Sequence, residues 1–141
     1  MASAEQLQLQ VSTPLGRALD IESDSVQIPS VAGEFGVLPK HVPILAALKP
    51  GILKYRVDGE VKRAAIGGGY AEADARRVRL ITEFFMTSEQ VDVPKATADL
   101  AAAEARLAAF KGELDDPEHV EAQGDLDWAR ARLELAGGGA H

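Results

Sequence analysis

Leu7, Leu9 and Val11 alternate with Gln8, Gln10 and Ser12, a period of two that predicts a strand with one buried face. Pro14 and Gly16 break it. Two further alternating runs follow, Arg17 to Ile21 and Ser25 to Ile28, separated by Glu22-Ser23-Asp24, and Pro29 is expected to stop the second. The stretch from Gly33 to Tyr55 sets glycines and prolines among short apolar runs and reaches a tight turn at Pro50-Gly51, where proline presets the first torsion and glycine accepts the second. It reads as a rigid, turn-dense surface loop between strands, the kind of segment that carries recognition. Asp58-Gly59 between two alternating runs is a hairpin signal with Val61 to Ile66 as the return strand. Gly67-Gly68-Gly69 permits a bend before Tyr70 to Ala73, and Asp74-Ala75-Arg76 turns the chain into Val78, Leu80 and Thr82. Short strands with turn signals every 8 to 12 residues predict an all-β sandwich over residues 5 to 88.

The period changes at Val91. Asp92 is placed to cap a helix with Pro94 in its first turn, where a missing N–H costs nothing. The alanine-rich run to Lys111 carries one narrow apolar stripe, Leu100, Ala103, Leu107 and Phe110, before Gly112 ends it. Residues 113 to 124 are acidic and read as a loop, with at most one helical turn after Pro117. Asp125 then caps a short second helix with the stripe Leu126, Ala129, Leu133 and Ala136. The predicted architecture is α+β by segments: an N-terminal β-sandwich over residues 1–90, then an antiparallel αα-hairpin over residues 91–141 with a flexible Gly-rich end. The helices, roughly 25 Å and 18 Å long at 1.5 Å per residue, are marginal in isolation and need a surface to dock on.

Charge separates the two parts. The net charge is −7, and residues 95 to 141 hold 5 basic and 10 acidic side chains, leaving −2 for the rest. No basic cluster of the kind that binds nucleic acid or an anionic bilayer is present, and no apolar run reaches membrane-spanning length. The start of the chain lacks the pattern of a cleaved address, so membrane association is expected only through partners. Without cysteine there is no disulfide framework, thiolate metal site or thiol nucleophile.

Candidate chemistry is sparse. His41, His119 and His141 have no carboxylate, serine or second histidine at a catalytic or metal-binding spacing. The glycine triplet at 67–69 is followed by Tyr70-Ala71-Glu72 and not by the Gly-Lys-Ser/Thr of a phosphate loop, which makes it a bend. Asp115, Asp116, Glu118 and His119 lack the order of a calcium loop. No enzyme constellation, cofactor site or metal site emerges, and the expectation is a non-catalytic binding protein.

Gly33-Glu34-Phe35-Gly36-Val37-Leu38-Pro39, then His41, Pro43, Leu45 and Leu48-Lys49-Pro50-Gly51, resembles the signature of the epsilon subunit of bacterial F-type ATP synthases. Gly124-Asp125-Leu126-Asp127-Trp128-Ala129 is similar to that family's entry to its second helix. The resemblance implies a non-catalytic central-stalk subunit of a proton-translocating synthase, peripheral on the cytoplasmic face of the bacterial inner membrane. Its sandwich would bind the rotating gamma subunit and rest on the c-subunit ring, with Glu34, Phe35, Leu38 and His41 facing the ring. Its hairpin would lie on the sandwich or extend toward the catalytic alpha and beta subunits and slow ATP hydrolysis; a short second helix and acidic charge weigh against strong inhibition. Some relatives hold ATP on the hairpin, which by position implicates Asp92, Lys95, Arg130 and Arg132. Lys95 stands where they carry arginine, and lysine cannot form the bidentate fork. The rival expectation is a free-standing β-sandwich binding module with no rotary role.

Overall fold

The structure, a computed structural model, describes residues 6–40 and 43–137. Ten strands come first: β1 (Leu7–Thr13), β2 (Gly16–Ser23), β3 (Ser25–Ser30), β4 (Gly33–Val37), β5 (Ile44–Leu48), β6 (Gly51–Val57), β7 (Glu60–Ile66), β8 (Gly69–Ala73), β9 (Arg77–Thr82) and β10 (Phe85–Met86). A 3₁₀ turn at Ser88–Gln90 leads to helices α1 (Val93–Ala109) and α2 (Pro117–Gly137). The strands hydrogen-bond in the order β10-β7-β6-β3-β5-β8-β9-β1-β2, with β4 on β3. All pairs are antiparallel except β1 with β9. Strand β3 joins the two layers, pairing with β6 through Ser25–Gln27 and then with β5 at Ser30.

Alternation decides which side chains fill the space between the layers. Leu7, Leu9, Val11, Val26, Ile28, Val37, Leu53, Ile66, Val78 and Leu80 are fully enclosed there. At roughly 1.5–3 kcal/mol for each fully buried aliphatic side chain, this core is the main source of stability. The Asp58-Gly59 turn has φ of 53° and 79°, the left-handed pair that a two-residue hairpin matching strand twist requires. At Gly69 φ is 149°, and a Cβ would lie 1.9 Å from the Ile81 carbonyl oxygen, so no other residue fits where β8 enters the sheet.

Residues 33 to 55 are not one surface loop: they contain β4, β5 and the start of β6, because Phe35 and Val37 alternate inward like any strand. Pro29 does not stop its strand, since β3 runs to Ser30; Pro29 sits opposite Glu34 of β4, where β3 changes partners from β6 to β5, and its carbonyl still accepts from the Lys49 N–H at 3.3 Å. The second helix begins at Pro117, not after Asp125. Asp116 Oδ1 accepts from the Glu118 N–H at 3.0 Å, and Pro117 takes the first helical position. With 21 residues α2 is roughly 31 Å long, longer than the 17-residue α1, whose helical bonds end at Ala109.

The helices form the expected antiparallel hairpin, and α2 docks on the outer face of β6 and β7. Ile52, Ala65, Ala131 and Leu135 are buried at that contact, edged by Met86, Val91 and Trp128. The inner stripe differs from the expected one: Leu126 and Ala129 are buried, Leu133 is half-buried and Ala136 is exposed. The reason is that α2 has two buried faces, one toward α1 and one toward the sheet. Gly137 is the last helical residue described, and the rest of the predicted tail lies outside the described residues.

Candidate interaction surfaces

The first surface is the end of the sandwich around β4. Asp74 shapes it: its Oδ1 accepts from the backbone N–H groups of Arg76 at 2.8 Å and Arg77 at 2.9 Å, closing the β8–β9 turn. These bonds, with the adjacent guanidinium charges, hold the Asp74 carboxyl below its ordinary value. The Lys40 N–H then donates to the Ala75 carbonyl at 2.7 Å, tying the turn after β4 to the β8–β9 turn. Glu34 is exposed on β4 and accepts from Gln27 Nε2 at 3.1 Å. Leu38 is exposed just beyond the strand, in the same outward phase. Phe35 points the other way and packs against the core. His41 lies outside the described residues.

The second surface is the outer face of β5, β8 and β9. Ala47 lies opposite Tyr70, and Tyr70 opposite Ile81, an apolar row across three strands. Leu45 flanks it in the same phase of β5, opposite Glu72, which pairs with Arg79 at 3.7 Å. Leu45, Tyr70 and Ile81 are 72%, 63% and 55% exposed, too open to be core and too close together to be scattered surface residues. Sequence reasoning passed over this patch, although Ile44-Leu45-Ala46-Ala47-Leu48 carries a signal for it: a strand apolar in both phases has a second face to cover.

The third surface is on the hairpin, where α1 meets α2. Asp92 caps α1, its Oδ1 accepting from the Lys95 N–H at 3.0 Å. Lys95 Nζ is 3.3 Å from Asp99 Oδ2, and Arg132 Nη2 donates to the same oxygen at 3.0 Å. Those contacts, the Arg132 hydrogen bond first, hold the Asp99 carboxyl below its ordinary value. Arg130 is exposed. Of the four residues set out along the hairpin for a nucleotide, Lys95 and Arg132 therefore meet on Asp99, with Lys95 open to solvent and Arg132 enclosed, while Asp92 is engaged at the cap of α1. Among the described residues no group of three or more His, Cys, Asp or Glu side chains is arranged to hold a metal ion.

Residues 6–88 match the family described as ATP synthase, Delta/Epsilon chain, beta-sandwich domain. The chain belongs to the ATP synthase delta/epsilon family. The ATP synthase epsilon chain of Synechococcus sp. (strain WH7803) is 38% identical over 130 residues, which span 92% of this chain and 96% of that one. The epsilon chain of Syntrophobacter fumaroxidans is 40% identical over 133 residues, 94% of this chain and 97% of that one. These matches run through the hairpin as well as the sandwich. Among solved structures, a chain of the Euglena gracilis mitochondrial ATP synthase, in an assembly with OSCP, F1 and the c-ring, superposes with a TM-score of 0.77 at 25% identity, covering 95% of this chain and 82% of that chain. A chain from the central stalk and c-ring of the Tetrahymena thermophila mitochondrial enzyme shares the fold, with a TM-score of 0.59 at 17% identity and coverage of 95% and 99%. No helix among the described residues is long and apolar enough to cross a membrane.

Proposed function

We infer that the chain is a non-catalytic rotor subunit of a proton-translocating ATP synthase, linking rotation of the c-ring through the gamma subunit to the catalytic head. The observation that carries the reading is the exposed apolar row Ala47, Tyr70 and Ile81, flanked by Leu45, on the family's own sandwich. Such a patch fits a permanent protein partner, and gamma is the partner assigned to it here. Residues 1–90 form the gamma- and c-ring-binding unit, and residues 91–141 form the hairpin. The end of the sandwich bearing Glu34 and Leu38 faces the polar loops of the c-ring, and by sequence His41 is assigned to the same contact; Phe35 supports that end from inside. A backbone bond between neighbouring turns stiffens it, as suits a surface that passes torque. The complex sits on the cytoplasmic face of a bacterial membrane, held there through its partners.

The hairpin reads as a regulator of ATP hydrolysis. The length of α2 removes one reason to discount it, while the acidic charge at residues 113 to 121 still disfavours contact with an acidic catalytic segment. Titration of the chain against purified gamma tests the core of the reading. The native chain binds, and Tyr70→Glu with Ile81→Glu, both at exposed positions, weakens binding at least about tenfold with the fold intact. Equal binding by the two chains removes the assigned gamma surface.

A further inference from the structure

Arg132 is 6% exposed, a charged side chain enclosed between α1 and α2. Its Nη2 donates to Asp99 of α1 at 3.0 Å, and its Nε donates to the Trp128 carbonyl one turn earlier at 3.3 Å. Its guanidinium carbon lies 5.3 Å from the centre of the Trp128 ring. That ring stacks in turn on Phe84 of the sandwich, centroids 4.8 Å apart and planes 19° from parallel. Phe84 is itself seated over Gly67, where a Cβ would come within 2.9 Å of its ring. An unbroken line of contacts thus runs from α1 through α2 to the strands.

We propose that Asp99, Arg132, Trp128 and Phe84 form a clasp that holds the hairpin down on the sandwich, with Asp99 as the residue that positions it. Asp99 is on α1, which packs chiefly on α2. Its effect on docking passes through Arg132: paired, the guanidinium can be enclosed and lies over Trp128; unpaired, it is a nearly buried cation drawn toward water, and Trp128 lifts from Phe84 with it. The clasp makes closure of the two helices on each other and docking of the pair on the sheet one event. It is a property of the isolated chain and stands apart from the identity of any partner.

Trp128 is the one tryptophan in the chain and reports the clasp directly. Iodide or acrylamide quenching of its fluorescence, with hydrogen exchange of α2 amides, is measured for the full chain, Asp99→Asn, the double variant Asp99→Leu/Arg132→Met and the exposed control Glu104→Gln. Asp99→Asn increases quenching and speeds exchange across 126–135 by about tenfold to a hundredfold, the range for one charge-assisted bond, with sandwich amides unchanged. The double variant, which leaves no orphan charge, returns both readouts close to those of the native chain, as does the control. Native quenching and native α2 exchange in Asp99→Asn overturn the clasp. So does a double variant as open as the single one, because removal of the orphan charge would then have no effect on docking.

Discussion

A few residues fix conformations that the rest of the chain cannot supply. Gly69 combines a positive φ with a carbonyl oxygen in the space of a side chain, so Gly69→Ala strains both the backbone and the β8–β9 pairing. The expected loss is roughly 3–5 kcal/mol, read as a lower urea midpoint with the m-value preserved. Asp99 acts by charge. Its folded carboxyl titrates below the ordinary 3.8, chiefly through the Arg132 hydrogen bond, so its contribution is complete above that value and is lost as pH falls through the lower folded one. Trp128 shielding is therefore expected to be flat from neutral pH down to about 4 and to fall only in stronger acid, and in Asp99→Asn that acid transition disappears. A transition between pH 5 and 7 would assign the clasp to another group.

At the scale of elements, α2 is the most informative. Its start was hidden because an acidic run containing proline and glycine looks like a loop, whereas Asp116-Pro117-Glu118 is also a helix start with cap, first position and acidic first turn. Gly124 misled in the same way: it lies inside the helix with open space around the position of a Cβ. Gly124→Ala is thus expected to stabilise the hairpin by about 0.5–1 kcal/mol, seen as slower α2 hydrogen exchange and a raised thermal midpoint. The strands were easier, since strict alternation at Leu7, Leu9 and Val11 or at Val78 and Leu80 allows one inward phase only. Ile52 and Ala65 show where that reading stops, being apolar in the outward phase because α2 covers them. The site was less legible than the fold. Trp128, Phe84 and Asp99 lie 44 and 29 residues apart along the chain and meet only once α2 is docked; spacing along the sequence holds no trace of such a meeting.

At the scale of the whole molecule, the sandwich offers one apolar outer face to solvent at β5, β8 and β9 and covers another, at β6 and β7, with its own helices. The first is the surface for a permanent partner, the second a docked arm held by a clasp whose release would expose Ile52 and Ala65. The central claim, that this chain couples rotation to the catalytic head, is tested most directly by ATP-driven proton pumping in inverted membrane vesicles stripped of their epsilon chain. Added native chain is expected to restore pumping, and Tyr70→Glu/Ile81→Glu is expected to restore little of it. Failure of the native chain to restore pumping in vesicles that its cognate gamma and c-ring occupy would contradict the rotor assignment and leave the free-standing binding module in its place.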